Sequence, residues 1–321
     1  GSLGKALTKR LLEMNVKTIR IFSRNENNQI KMESEFDDGR LRFLLGDIRD
    51  KDRLIRATED IDYVFHAAAL KHVPKIEYNP FEAINTNVIS SQNVIDACLV
   101  SKVKKCVCIG TDKAVSPLNT YGATKLLMEK LFVTAGNYLD QRKHKTKFLA
   151  LRYGNVLGSS GSVIPKFIDQ VKAGKKLSIT DPSMTRFSIT MDQALEFILS
   201  SVIMSKGSEV FIPKIKAYDI ETVKEAMKGL FDNVKDIKIP VRQGEKYHET
   251  LINADELKYT VETDSRYIIS RMFGSEIKKG TYPKMEKMKL KEQYSSDVVQ
   301  KMNKEELMKL IKKSGILTKN K

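Results

Sequence analysis

Short apolar, β-branched runs alternate with stretches of helical spacing through the first two thirds of the chain. Runs at 18–22, 42–46, 63–66, 103–109, 148–153, 177–180 and 209–213 predict strands. Apolar positions three and four apart predict helices over 7–14, 51–57, 85–99, 121–137, 165–174 and 191–204. The run at 103–109 is apolar apart from Lys104 and Lys105, as expected of a parallel strand covered on both faces. Strand–helix alternation of this kind implies an α/β fold with a right-handed, doubly wound parallel sheet. The pattern changes near the end. Residues 278–291 are rich in lysine and methionine, and 303–313 predicts a last helix with Lys–Glu spacings suited to a solvated face. That tail reads as a peripheral arm or an oligomer contact.

Ligands of open α/β sheets bind outside the carboxyl ends of the strands. The longest chemistry-bearing stretch lies at such an end. After the 103–109 strand the chain reads Gly110-Thr111-Asp112-Lys113, then a loop broken by Pro117, then Tyr121-Gly122-Ala123-Thr124-Lys125. Tyr121 and Lys125 are four apart and share one helix face. A phenol, two ammonium groups, a carboxylate and a hydroxyl are therefore offered to one crevice.

Other strand ends suggest a dinucleotide. Gly1-Ser2-Leu3-Gly4 at a helix start resembles the second half of a glycine loop that holds a pyrophosphate on backbone amides. A strand and a first glycine are expected ahead of it, so the sheet is expected to lack its first, central strand in these 321 residues, a gap that would leave it unstable alone. Ser23 and Arg24 follow the 18–22 strand where NAD sites carry an acid for the ribose 2′-hydroxyl. An arginine there suits a 2′-phosphate, which favours NADP over NAD. Asp47, with Ile48, is placed to accept from an adenine amino group. Ala67, Ala68 and Ala69 are small enough for a cofactor to lie against the backbone. His66, just before them, reads as a packing histidine, and the loop Lys71-His72-Val73-Pro74 is placed at the second ligand. Farther on, the Ser159-Ser160-Gly161-Ser162 loop offers amides for a phosphate.

Composition narrows the partners. The 56 basic and 40 acidic residues leave a net charge of +16. The lysines are spread along the chain without any nucleic-acid-binding motif, so the positive field is read as steering for an anionic small substrate. No apolar run reaches the length of a membrane span, and no secretory signal pattern appears. Cys98, Cys106 and Cys108 have neither disulfide nor metal spacing and read as buried thiols of a cytoplasmic protein.

These motifs together resemble one family, the extended short-chain dehydrogenase/reductases acting on nucleotide sugars, and within it the inverting UDP-N-acetylglucosamine 4,6-dehydratases of the polysaccharide biosynthesis (CapD-like) group. The residues that carry the resemblance are His66 to Pro74, Thr111 to Ala114, Tyr121 to Lys125, Arg152-Tyr153-Gly154-Asn155-Val156, Gly161-Ser162-Val163, Met184-Thr185-Arg186-Phe187 and Gly244-Glu245-Lys246, over about the first 270 residues. Gly110 stands where relatives usually carry serine, which implies a looser strand tip. The resemblance implies a Rossmann-type sheet with a smaller, interleaved substrate domain: 1–152 and 189–213 for the dinucleotide, 153–188 and 214–274 for the nucleotide sugar, and 275–321 as the lysine-rich arm.

The resemblance also implies roles. Tyr121, as phenolate, takes the proton of the carbon-4 hydroxyl, helped by the cation of Lys125, while Thr111 bonds the carbon-4 oxygen. A neutral Lys113 of depressed pKa removes the carbon-5 proton, and a protonated Asp112 helps water leave carbon 6. Cofactor contacts fall to Gly1, Gly4, Ser23, Arg24, Asp47, Ile48, Ala67, Ala68, Ala69, Lys71, Asn87, Tyr121, Lys125 and Tyr153. Substrate contacts fall to Lys71, His72, Asn155, Ser162, Val163, Thr180, Arg186, Arg242 and Glu245, with the two arginines clamping the diphosphate and Glu245 on a ribose hydroxyl. The implied partners are a UDP-sugar and further copies of the chain, as a dimer-based oligomer up to a hexamer. A related branch, the UDP-glucose and UDP-N-acetylglucosamine 4-epimerases, is the alternative; it shares T-D-K but often has methionine at the tyrosine position.

Overall fold

The computed structural model describes residues 1–137, 139–140, 142–159, 161–270 and 277–317. Ser160 and the expected domain boundary at 274/275 lie outside them.

The strands 105–109, 147–151 and 209–213 are consecutive neighbours in a seven-stranded sheet. Its order is 286–287, 260–262, 266–269, 209–213, 147–151, 105–109, 63–66. The four strands from 63–66 to 209–213 run parallel, as their unbroken apolar sequences imply. The next three are joined antiparallel. Ile19–Ser23 and Leu41–Leu45 pair in parallel as a separate two-stranded sheet. The facing strands Ile19–Ser23 and Tyr63–His66 are not hydrogen-bonded to each other, and both line one large cavity.

Two strand tips come unusually close. A Cβ on Gly110 would stand 2.1 Å from the backbone oxygen of Leu151. The glycine therefore tightens the sheet at this tip, contrary to the looser tip inferred from the sequence. The Thr120–Thr134 helix approaches the same place. A Cβ on Gly122 would lie 2.4 Å from the Lys113 carbonyl oxygen, so the glycine within Tyr-Gly-Ala-Thr-Lys sets how near the helix comes to the Thr111–Lys113 turn.

The smaller lobe is built from the 217–219, 185–189 and 155–156 strands, the parallel pair 177–179 and 236–238, and helices Val163–Lys172 and Ile220–Leu230. Its core joins Phe167, Leu177, Tyr218, Val223 and Met227 to Leu307 and Ile311 of the Lys304–Lys313 helix.

Two expected boundaries are corrected. Residues 260–269 extend the large sheet, although they were assigned to the substrate lobe. The segment after 277 is a strap through both lobes, not a peripheral arm. Tyr282 is buried and donates to Glu209 Oε1 at 2.7 Å; Tyr294–Ser295 pairs antiparallel with Thr250–Ile252; and the last helix completes the second core. Its lysines and methionines mask this role in the sequence, because the anchors are single tyrosines spaced far apart. Helix Glu26–Phe36 also escaped the sequence reading, since only Ile30, Met32 and Phe36 are apolar along its length.

The glycine contact gives a direct test. Gly110→Ser should destabilise the fold by about 1–3 kcal/mol, as overpacking does, read as a lower midpoint in urea denaturation. Gly39→Ala, where a Cβ meets nothing within 4 Å, is the reference substitution and should leave the midpoint nearly unchanged.

Candidate active site

A cavity of 3010 Å³ runs from the gap between the 19–23 and 63–66 strands into the crevice between the lobes. Its wall begins at the Ser2–Leu12 helix start, passes Ser23, Ile48 and Ala67 to Ala69, reaches Thr111, Lys113, Tyr121 and Lys125, and ends among Ser162, Lys166, Arg186 and Arg242. All but four of the site residues expected from the sequence line it. The exceptions are Arg24, Asp47, Asn87 and Asp112.

Thr111 caps the short Asp112–Ala114 turn and donates from Oγ1 to Asp112 Oδ1 at 2.8 Å. Lys113 Nζ donates to the same oxygen at 3.0 Å and lies 3.2 Å from Glu249 Oε1. Asn155 Oδ1 is a longer acceptor at 3.4 Å. Asp112 and Glu249 are both buried, and each has a second carboxylate oxygen, Oδ2 and Oε2, with no hydrogen-bond partner. Buried polar atoms without partners are costly unless something enters to meet them.

Burial lowers the pKa of Lys113, but the charges of Asp112 and Glu249 outweigh it and hold the ammonium above the ordinary lysine range. The expectation of a neutral Lys113 is therefore corrected for this state of the site. Cations nearby were counted from the sequence, and Glu249, 136 positions away, was not.

Tyr121 begins its helix, capped by Asn119, whose Oδ1 accepts from Gly122 N at 2.8 Å. Burial raises the Tyr121 pKa; the Lys113 ammonium and a bond from Thr111 pull it back. A cation that favours the phenolate here is the Lys113 ammonium, which was not given that part from the sequence. Lys125 Nζ donates to the Ile109 carbonyl at 2.8 Å, and burial lowers its pKa.

Other expected contacts are engaged within the protein. Asn87 bonds both backbone groups of Leu70, at 2.8 and 3.0 Å, and Thr124 Oγ1 at 3.0 Å. It therefore holds the Ala67–Lys71 loop, and the assignment of this amide to the cofactor is corrected. Arg24 lies 3.5 Å from Asp47, which Arg49 also holds at 2.7 Å, so the Asp47 carboxyl sits below its usual range, chiefly through Arg49. Arg186 is buried and donates to Thr185 and Tyr247 carbonyls and to Glu245 Oε1, at 2.8, 3.0 and 3.1 Å. Its guanidinium orients the loop carrying Glu245 rather than standing open as a clamp. Arg242 is exposed on the cavity wall, near Lys166, whose pKa is lowered by burial and then by Arg242. Gly1, Gly4, Lys71, His72, Tyr153, Val163 and Thr180 line the wall as expected.

Glu249, Lys246, Lys166 and Arg49 were missed. Lys246 stood inside the Gly244-Glu245-Lys246 motif without being given a role, and Lys166 follows the Ser162 loop at a helix start; no short motif marks Glu249 or Arg49. His66 packs as expected, stacked on Phe132 with Nε2 3.0 Å from Ser91 Oγ.

The fold and this tyrosine–lysine crevice define the class of extended short-chain dehydrogenase/reductases. The chain belongs to the polysaccharide biosynthesis protein family, whose model matches residues 1–271. It is 48% identical, over 273 residues, to a UDP-N-acetylglucosamine 4,6-dehydratase (inverting) of Campylobacter jejuni, covering 84% of this chain and 80% of that one. A UDP-glucose 4-epimerase of Rickettsia bellii is 38% identical over 318 residues, 97% of this chain and 92% of the relative. The X-ray structure of Pen from Bacillus thuringiensis superposes with a TM-score of 0.89 at 40% identity, covering 99% of this chain and 95% of that one.

Burial holds the His66 imidazole at a pKa of about 3, with a smaller contribution from Lys125. The unfolded chain takes up this proton near pH 6.5. Stability is therefore full above about 6.5 and declines as pH falls toward 3, because only the unfolded state binds the proton. Between pH 7 and 5 His66 should account for about 2 kcal/mol of lost stability. Urea denaturation of His66→Gln at both pH values should show that much less acid sensitivity.

Proposed function

We propose that the protein is an NADP-dependent UDP-N-acetylglucosamine 4,6-dehydratase that inverts carbon 5, serving surface polysaccharide or glycan biosynthesis. The observation that carries this reading is Tyr121, buried beside the Asp112–Lys113 pair: the epimerase branch shares the pair but often has methionine where this chain has the phenol. The epimerase remains the second reading because a relative of that name spans nearly the whole chain.

The cavity suits a dinucleotide. A helix start with two glycines, whose Cβ positions are open, lies at one end, and Ala67 to Ala69 form a low wall toward Tyr121. Gly1 and Gly4 would face the pyrophosphate, Lys125 and Tyr121 the nicotinamide ribose, and Arg24 with Arg49 a 2′-phosphate, which favours NADP. When bound, this cofactor would accept a hydride from carbon 4 and supply one to carbon 6, with a proton returned to carbon 5 on the face opposite the one it left. Arg242 and Lys166 form the cationic end for the diphosphate.

Tyr121, once ionised to the phenolate under the pull of the Lys113 ammonium, takes the proton of the carbon-4 hydroxyl, with Thr111 bonding the same oxygen. Lys113 and Asp112 rest as an ion pair. Moving one proton over the 3.0 Å from Nζ to Oδ1 gives an amine and an acid. The amine takes the proton of carbon 5, and the acid gives one to the departing oxygen of carbon 6. These two transfers restore the ion pair, so the elimination closes on itself without net proton change in the pair.

The same reading has the protein acting in the cytoplasm as a homo-oligomer. Tyr78, Phe81 and Leu127 expose apolar surface on neighbouring helices, in keeping with a contact between copies. Among the described residues, no helix is long and apolar enough to cross a membrane.

Incubation with UDP-N-acetylglucosamine should give a product lighter by one water in mass spectrometry; a product of unchanged mass would establish epimerisation instead. Tyr121→Phe should lower kcat by about 10²–10⁴-fold while NADP still quenches or shifts protein fluorescence as in the parent. Loss of cofactor binding along with activity would contradict the role given to the phenol.

A further inference from the structure

Glu249 has no role in the steps above, yet it is among the most deeply buried charged groups of the site. It is 3% exposed, lines the cavity, places Oε1 3.2 Å from Lys113 Nζ and 3.9 Å from Arg186 Nε, and leaves Oε2 without a partner. Its backbone is held by the C-terminal strap. Glu249 N–H donates to Ser296 Oγ at 2.8 Å, and Ser296 N–H donates back to the Glu249 carbonyl at 2.8 Å. Ser296 Oγ is fixed in turn by Thr185 Oγ1 at 2.7 Å. The adjoining strands, Thr250–Ile252 and Tyr294–Ser295, pair antiparallel. Residues 294–296 thus reach into the site from beyond the family-matched part of the chain.

We propose that Glu249 is a positioning residue for Lys113: presented by the strap through Ser296, it holds the ammonium between two carboxylates and sets the charge state from which proton transfer starts. The inference deepens the dehydratase reading and rests on it for its meaning in turnover. The geometry explains why the carboxylate is needed. Asp112 alone neutralises Lys113, and the other charged groups facing the ammonium, Arg186 and Lys246, oppose its charge. Tyr121 and Tyr218, the remaining titratable groups facing it, are neutral at rest, since burial raises both. Glu249 offsets the two cations, and a single hydrogen-bond reach fixes Nζ on the side from which it faces Asp112 Oδ1. With Glu249 uncharged, Lys113 loses that anchor and gives up its proton at lower pH.

The test reads the charge of Lys113 without substrate. Trace acetylation with acetic anhydride across a pH series, followed by mass spectrometry of the peptide containing Lys113, gives the pH at which the amine becomes reactive. Glu249→Gln should lower that midpoint by roughly one pH unit or more, Glu249→Asp should restore much of it, and Ser296→Ala should shift it in the same direction by less. An unchanged midpoint in Glu249→Gln overturns the proposal; should that variant fail to fold, an unchanged midpoint in Ser296→Ala and Glu249→Asp does so. In turnover, Glu249→Gln should lower kcat about 10- to 100-fold with KM within about threefold, and move the alkaline limb of the kcat profile to lower pH. Because acetylation needs no sugar, a shifted midpoint together with a product of unchanged mass would sink the dehydratase reading and leave the Lys113–Glu249 coupling standing.

Discussion

Arg152 is the side chain on which the arrangement of the site depends. It is 1% exposed, and its guanidinium is bound on every side. Nε and Nη2 donate to Glu129 at 2.6 Å each, Nη1 and Nη2 donate to Glu256 at 2.8 and 2.7 Å, and Nη1 also reaches the Leu251 carbonyl at 3.1 Å. Glu129 stands four residues beyond Lys125 on the tyrosine helix. Arg152 ends the 147–151 strand, and Leu251 and Glu256 belong to the segment that follows Glu249. One planar fork therefore ties together the helix of Tyr121, the strand beside the Gly110 tip, and the segment that brings Glu249. Burying such charges costs several kcal/mol each unless geometry and hydrogen bonding are complete. Here they are, so a small rotation of any of the three elements would strand a buried charge. The penalty for misalignment is what makes the arrangement rigid.

This constraint acts with two backbone approaches. Gly110 lets its strand tip close on Leu151, and Gly122 lets the tyrosine helix close on Lys113. The arginine sets which elements meet, and the glycines set how near they come. Neither would suffice alone. Without the close approach the Thr111–Lys113 turn would not lie against the start of the tyrosine helix; without the buried fork the Glu249 segment would be tied to the strap but not to the strand and helix of the site.

The sequence made the parallel strands and the Thr111–Lys125 stretch legible, because both are local. Apolar runs at 103–109 and 148–153 need no knowledge of their neighbours, and Tyr121 and Lys125 fall on one face by spacing alone. What escaped was set by distant pairing. Glu249 is an acid in an ordinary polar stretch until the 250–252 strand pairs with 294–295. Arg152 belonged to a recognisable motif, but its partners Glu129 and Glu256 lie 23 positions before it and 104 after it. Gly110 looked like a loosened position because a missing side chain reads as freedom in a sequence, whereas in a sheet it permits contact. The strap was misread for a similar reason: its charged composition describes its exposed face, while Tyr282, Tyr294 and Leu307 do the anchoring.

The charge of Lys113 shows how such omissions propagate into chemistry. From the sequence, a lysine beside other cations and a buried cofactor site should lose its proton easily. Burial does push it that way. Two carboxylates reverse the outcome, and one of them is delivered by a segment that no local pattern connects to the site. A cation at rest is also the more useful starting point. It pulls the Tyr121 phenol toward its ionised form. It also keeps a transferable proton within 3.0 Å of Asp112. In the proposed reaction the lysine would serve the tyrosine electrostatically before the hydride moves and the carbon-5 proton chemically afterward. The two duties follow in sequence because the same ammonium must be charged for the first and uncharged for the second.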